Sequence, residues 1–375
     1  EAVQGLMMNG STDAASGSLN TSLLIFNGFR LQNQIRQNKY LLMSDKSNIE
    51  KIKTDLTLTV INTYLQALTN QDLITASEQQ VALSKAQLDV EQKNFEVGNK
   101  TLADLSQAKS QLATNELSLT NAQNAFEISI LELKQLMELN PEVEVKLSVP
   151  VIPNIANLKK IYSANEVFIQ ALTYYPDVQM AKYNSEAFRY GVKAAKGGFY
   201  PSLNFNAGLN NSYSSNASES VIDPSDPSNF IRRDLTFSDQ LDRNFSKGIG
   251  LSLQIPIFNN FRARASVNIA KIRYQNALVT EQITRNNLNK IINQAVLDLK
   301  SADSRYSATQ TAYEASKDAF EAMQKRYDVG LANSIELNTG QTNFNKAEFD
   351  FIQAKYDLIF RSKVIDFYLG NPINL

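Results

Sequence analysis

An internal duplication constrains this 375-residue chain more than any other feature of its sequence. Between Val60 and Val97, apolar residues recur at every seventh position, which is the spacing of a coiled coil. The pattern returns at an offset of 232 residues, the separation of Ile74 from Tyr306. Repetition at one fixed offset predicts two copies of a single structural unit. The first line comprises Val60, Ala67, Ile74, Val81, Leu88 and Phe95, and its later counterpart comprises Tyr306, Tyr313, Phe320 and Tyr327.

Each copy also carries a second apolar line, two positions after the first. Two residues turn a helix by about 200°, so the second line lies on a different face. A helix with two apolar faces needs a neighbour on each side, and we therefore expect other copies of the chain to cover some of this surface. The second line comprises Ala76, Leu83, Val90 and Val97 in the first copy, and Ala308, Ala315, Ala322 and Val329 in the second.

Each copy is predicted to fold as a strand, a very long helix, a sharp tip and an antiparallel return helix. No proline or glycine lies between Arg30 and Val97, and at about 1.5 Å per residue this stretch would form about 100 Å of helix. Gly98 and Gly330 are predicted to end the long helices as left-handed residues. Both copies close on an Asn-Pro pair, but these pairs are 231 residues apart. We therefore expect one residue to have been gained or lost along the return helix.

Strands are predicted at 18–26, 201–213 and 248–258, where apolar and polar residues alternate, and the last two should form a hairpin. Residues 211–245 are rich in Ser, Asn and Asp and read as a long solvated loop, placed outside the cell. Residues 165–196 have helical periodicity interrupted at Pro176. The predicted organisation is a first repeat at 1–140, a stacked helical segment at 141–198, a barrel hairpin at 199–258 and a second repeat at 259–375.

Composition excludes several function classes. The net charge of −1 gives no basic field for nucleic acid, so no nucleic-acid partner is expected. Histidine and cysteine are both absent, which excludes His-based triads and the usual zinc sites. We therefore expect neither an enzyme nor a cofactor. No run of about 20 apolar residues could cross a bilayer as a helix, which leaves β-strands as the means of entering one.

A ring of several copies of the chain would bury the exposed apolar lines. Cyclic symmetry lets every helix find two neighbours, and the strands at one end can close into a barrel that has no free edge. Such a barrel can sit in a bilayer because its backbone groups are all paired. The predicted fold is therefore mainly α-helical: a long antiparallel coiled-coil α-barrel plus a transmembrane β-barrel, internally duplicated. A hollow assembly of this kind is suited to conduction.

The motifs resemble those of the TolC family of outer-membrane efflux proteins. The resemblance rests on the Ile-Phe-Asn-Asn strand end at 257–260, the Val-Gly tips, the acidic residue six positions after each tip glycine, and the Asn-Pro endings. It implies a homotrimer with a twelve-stranded barrel in outer-membrane lipid, four strands per protomer, and a periplasmic α-barrel. It also implies an exit duct for drugs, metals or secreted proteins that docks a periplasmic adaptor and, through it, an inner-membrane pump.

The resemblance leads us to expect a strand before residue 1. Only three of the four strands are found, and residues 1–15 read as the remainder of a loop. We expect Glu1 to be the start of a processed or truncated chain from which the first barrel strand is missing.

By the same resemblance, Asp104 and Tyr327 match residues that close the periplasmic aperture. The arginine expected two positions after the second tip glycine is Ala332, and Lys100 is the alternative cation. A plainer interpretation is that Asp104 is a first-turn acid favoured by the helix macrodipole, and that Tyr327 continues the first apolar line. Glu336 would form a ring of three carboxylates in a trimer, or would simply cap its helix. The residues expected to contact the adaptor are Val97, Gly98, Asn99, Val329, Gly330, Leu331 and Ala332.

A soluble, rod-like coiled-coil adaptor of the periplasm is the alternative function. Its helices would fit equally well, but it would need further barrel domains with Gly-rich turns. One hairpin followed by a repeat of the first unit is a poor match to that arrangement.

Overall fold

A computed structural model describes residues 11–148 and 162–371. The long helices reproduce the duplication residue by residue, because α1 and α6 each have 67 residues and α2 and α7 each have 35. The elements are β1 (Ala14–Asn27), α1 (Arg30–Glu96), α2 (Leu102–Leu136), α3 (Ala164–Tyr174), α4 (Pro176–Lys196), β2 (Ser202–Ser214), β3 (Ser218–Asp223), β4 (Asp226–Asp234), α5 (Phe237–Asn244), β5 (Ser246–Gln254), α6 (Arg262–Asp328) and α7 (Ser334–Tyr368).

The return helices correct one prediction. Both begin and end at the same offset of 232 residues, so no residue was gained or lost within them. The single-residue difference between the Asn-Pro pairs lies after Leu136 and Tyr368 instead. Within the described ranges, no helix is both long enough and apolar enough to cross a membrane.

The chain divides into two compact units. The first, formed by the described part of Glu1–Leu41 with Asn184–Ala277, contains an antiparallel sheet in the order β1-β2-β5. The register pairs Leu19 with Leu209, and Ala207 with Ile249. Because side chains alternate along a strand, one face is apolar. Neighbouring positions such as Asn20 place polar or small residues on the other face.

Residues 211–245 are not the loop that we predicted. They form the β3–β4 hairpin and the short helix α5, which packs on β2. Thr236 and Asp239 make a capping box at the start of α5. Gln240, only 1% exposed, bonds to the backbone of Ser214 and to the Leu235 carbonyl. These polar side chains form hydrogen bonds with the backbone that the composition of the segment did not reveal. The loop predicted at residues 1–15 is also too long at its end, because β1 already begins at Ala14.

Both strand-to-helix junctions contain two consecutive residues with left-handed backbone. Gly28 and Phe29 have φ values of 66° and 62°, and their counterparts Asn260 and Phe261 have values of 49° and 60°. Left-handed φ is strained for a phenylalanine, at a cost of about 1–3 kcal/mol. A Cβ at Gly28 would lie 2.6 Å from the Gly197 carbonyl oxygen, so glycine is required there.

The second unit, formed by the described part of Leu42–Tyr183 with Leu278–Leu375, holds the helical core. Along α6 and α7, aromatic rings alternate in a ladder of stacked and tilted pairs, with centroids 5.2–5.8 Å apart. The short helix α3 packs on α7, and its Val167 belongs to the same buried cluster as Leu288 and Ile292 of α6. The second apolar line of α6 is exposed within this chain, as the two-neighbour prediction requires. The ladder comprises Tyr306, Phe351, Tyr313, Phe344 and Phe320.

Candidate functional site

Two equivalent tips carry most of the predicted site residues. At the first tip, the Asn99 amide donates to the Asn94 carbonyl (2.8 Å) and the Gly98 amide to the Phe95 carbonyl (3.0 Å), which is a Schellman motif. The second tip repeats it around Gly330. The two glycines have φ values of 79° and 77°, and no atom lies near the position of a Cβ at either one. Glycine is therefore needed for its conformation, while the space around both tips is open.

Asp104 and Glu336, the acidic residues after the tips, both cap helices, but only Asp104 also contacts the other tip. Thr101 with Asp104, and Asn333 with Glu336, form capping boxes. Asp104 also accepts a hydrogen bond from the Ser334 hydroxyl at 2.6 Å, which ties the two tips together. Hydrogen bonds from Ser334 and Thr101 lower the pKa of Asp104 to about 2. Glu336 makes no such cross-tip contact that the structure describes.

Tyr327 is the centre of a buried polar cluster. Its hydroxyl donates to the carboxylate of Glu91 and accepts from the Lys100 ammonium at 3.0 Å. The same ammonium lies 4.4 Å from the ring centroid, within cation–π range. Burial, followed by the hydrogen bond to Glu91, raises the pKa of Tyr327 far above its usual value. The hydroxyl therefore stays protonated and can act as a donor at any physiological pH.

Glu91 is an acid that the sequence analysis did not single out. Its side chain is 1% exposed, and Gln87 donates to its Oε1 at 2.9 Å. Its Oε2 has no hydrogen-bond partner among the described residues. A buried carboxylate with an incomplete set of partners is costly, so the hydrogen bond from Tyr327 matters to it. The structure thus brings together Lys100 and Tyr327, while Asp104 contacts Ser334.

The polar cluster continues away from the tips along α1. Ser84, which is buried, accepts hydrogen bonds from Asn115 on α2 (2.5 Å) and Gln341 on α7 (3.2 Å). One turn earlier, Gln80 donates to Glu348 on α7 at 3.2 Å. Near the tips, α1 is therefore hydrogen-bonded both to α2 of its own copy and to α7 of the second copy.

A shallow groove of about 540 Å³ lies between α6 and α7 near the second tip. Its walls are mostly small side chains, with Glu336 at one end. Small residues let another backbone approach closely, as in helix packing. The groove is lined by Ala312, Ala315, Ser316, Ala319, Met323, Ile335, Glu336, Thr339, Gly340 and Asn343.

The sequence of the chain matches the family profile described as outer membrane efflux protein over residues 3–138 and 168–371. The chain belongs to the outer membrane efflux protein family. Among the relatives of this efflux protein is the outer membrane efflux protein BepC of Brucella suis, 20% identical over 339 residues, or 90% of this chain and 68% of BepC. The outer membrane protein TolC of Escherichia coli is 20% identical over 367 residues, or 96% of this chain and 70% of TolC.

Solved structures share the fold of this efflux protein. CusC superimposes with a TM-score of 0.79 at 18% identity, covering 98% of this chain and 80% of CusC. VceC of Vibrio cholerae superimposes with a TM-score of 0.74 at 15% identity, covering 96% of this chain and 86% of VceC. The family resemblance, the outer-membrane location and the channel function predicted from the sequence are confirmed. A soluble adaptor is accordingly set aside, because members of this family are channels.

Proposed function

We propose that this efflux protein is the homotrimeric exit duct of a tripartite efflux or secretion system. Its strands would close with those of two other copies into a barrel in outer-membrane lipid, and its helices would form a periplasmic α-barrel ending at the tips. The observation that carries the proposal is the exposed second apolar line of α6, which no described part of the chain covers and which another copy of the chain would cover where the adaptor does not dock. Electron microscopy of the detergent-purified protein should show three copies around an open bore, and a solid bundle would contradict this.

The tip contacts are proposed to hold the aperture closed. Tyr327 on α6 binds Glu91 on α1, and Asp104 in the first turn of α2 binds Ser334 at the start of α7. Both links therefore join the first copy to the second, and opening the aperture by moving one hairpin would break both. Lys100 takes the role of the arginine that Ala332 replaces. In a trimer, Glu336 would place three carboxylates around the opening, which favours cations.

Single-channel recording tests the gate. The double variant Asp104→Ala with Tyr327→Phe should open the aperture and raise the conductance in planar bilayers. The control is Asp89→Ala with Tyr313→Phe, which removes one exposed acid from α1 and one hydroxyl from α6, neither of which takes part in the tip contacts. Unchanged conductance in the gate variant, or an equal rise in the control, would contradict the proposed gate.

The adaptor is proposed to dock at the tips and in the α6–α7 groove. The tip residues Val97, Val329 and Leu331 are all 69% exposed, although they are large and apolar. Exposed apolar side chains beside a groove of small residues suit a partner helix that packs closely. Ala319→Arg would fill the groove with a charged side chain and should abolish co-purification with the adaptor while leaving the trimer intact. The inner-membrane pump would be reached through that adaptor.

A further inference from the structure

Basic residues are concentrated where the sheet of the first unit joins the helices. In the ranges 28–41, 184–200 and 259–277 there are ten lysines and arginines and a single acid, Glu186. That acid pairs with Arg189. On the far side of the sheet, residues 211–245 hold six acids and three arginines. The apolar sheet is therefore flanked by opposite charges, although the chain as a whole has a net charge of only −1.

Four of these residues lie closest to the sheet and form what we call the basic collar: Arg30, Lys196, Arg262 and Arg264. All four side chains are exposed, and none makes an ion pair within the described part of the chain. Arg30 and Arg262 begin α1 and α6, where the helix macrodipole disfavours a cation. Folding alone thus gives little reason for arginine at these two positions.

Exposed aromatic side chains accompany the basic collar. Phe29 and Phe261 are 59% and 65% exposed, although both adopt strained left-handed backbone conformations. Each packs edge-to-face on a phenylalanine of the preceding segment, Phe26 or Phe258. A chain that strains its backbone to display a phenylalanine gains nothing from this in water. At the border of a bilayer, aromatic rings occupy the level of the headgroups and are stabilised there.

We propose that the basic collar binds the phosphate groups of anionic phospholipids at the edge of the bilayer around the sheet. The charge is complementary, the aromatic side chains mark the depth of the headgroups, and both adjoin the apolar face that runs through Leu19, Leu209 and Ile249. Long basic side chains reach a headgroup while their stems cover apolar surface. The inference rests on the proposed placement of the sheet in the membrane.

Lipid selectivity of the reconstituted full chain tests the inference. The protein is placed in phosphatidylcholine vesicles, and electron spin resonance compares its association with spin-labelled phosphatidylglycerol and phosphatidylcholine. At low salt we expect wild type to prefer phosphatidylglycerol by about fivefold or more, and at 1 M salt we expect the preference to fall, because the Debye length shrinks to about 3 Å. The collar variant should show no preference. It carries Arg30→Gln, Lys196→Gln, Arg262→Gln and Arg264→Gln.

Two further variants exclude trivial explanations. A charge-conserving variant with three Arg→Lys changes in the collar should keep the preference. A control that removes four exposed cations of the second unit should also keep it, and carries Lys85→Gln, Lys290→Gln, Lys300→Gln and Arg305→Gln. Trimer mass and conductance are recorded for every variant, so that misfolding is recognised.

The outcomes separate the inference from the proposed function. If wild type inserts and conducts but shows no lipid preference, the inference is wrong and the exit duct stands. If wild type does not enter the vesicles, both are wrong. If the collar variant keeps the lipid preference but its reversal potential shifts toward cation selectivity, the cations line the bore instead and the inference is overturned.

Discussion

The hydrogen bond between Tyr327 and Glu91 allows a quantitative test of the proposed gate. Tyr327→Phe removes the hydroxyl but keeps the ring over Lys100, so that the packing is nearly unchanged. A hydrogen bond to a charged group is worth about 1.5–3 kcal/mol. Glu91 is almost fully buried, and one of its oxygens already has no partner among the described residues. We therefore expect loss of this bond to cost the closed aperture about 2 kcal/mol per protomer.

A cost of about 2 kcal/mol corresponds to roughly a 30-fold shift from closed toward open contacts. Glu91→Gln should shift it less, because the neutral amide still accepts a hydrogen bond from Tyr327. Since both changes act on one bond, the double variant should resemble Tyr327→Phe and should not show the sum of the two effects.

Closed dwell times in single-channel recordings measure this shift. Tyr313→Phe is the matched control, because the Tyr313 hydroxyl makes no hydrogen bond within the described ranges. If the effects of Tyr327→Phe and Glu91→Gln were simply additive, or if Tyr313→Phe opened the channel equally, the reasoning would be refuted.

Three other predictions follow from local structure. The pKa of Asp104 is lowered to about 2, so its contribution to tip stability is complete well above pH 4 and is lost as the pH falls toward 2. Hydrogen exchange at the tips should therefore become faster over this pH range in wild type. The Asp104→Ala variant should not show this pH dependence. Gly28→Ala should lower the melting temperature of the protein, because the added Cβ would clash at a left-handed position, whereas Asn260→Gly, at the equivalent junction, should be tolerated. Gln240→Ala removes three hydrogen bonds made by a buried side chain and should expose α5 to limited proteolysis without changing the fold of the sheet.

The long helices could be predicted from the sequence almost to the residue. Their limits follow from local chemistry, since Gly98 and Gly330 end α1 and α6 and no proline or glycine lies inside either helix. Because the unit is repeated at a fixed offset, each end of a long helix could also be predicted twice, once in each copy. The β3–β4 hairpin was missed because Pro224 and Pro227 in a short polar segment look like breakers. Its turn is held by hydrogen bonds from Ser225 to Asp223 and from Ser228 to Asp226, which the alternation of residues does not reveal.

The candidate site could be predicted only in part. Asp104, Lys100 and Tyr327 stand at recognisable distances from the tip glycines, so a motif can find them. Glu91 carries no such signal, because a charged residue in a long polar helix is typical of a solvated surface. Only the packing of α6 against α1 shows that Glu91 is buried, and this packing cannot be deduced from the local sequence around Glu91.

The matched backbones of the two halves make the protein its own reference. Glu91 and Met323 occupy the same place in their respective repeats, as do Gly28 and Asn260. A substitution at one member of such a pair can be compared with the same substitution at the other, in one molecule and under one set of conditions. The difference in effect between the two equivalent positions then measures the contribution of the surrounding residues, because the helix geometry is the same at both.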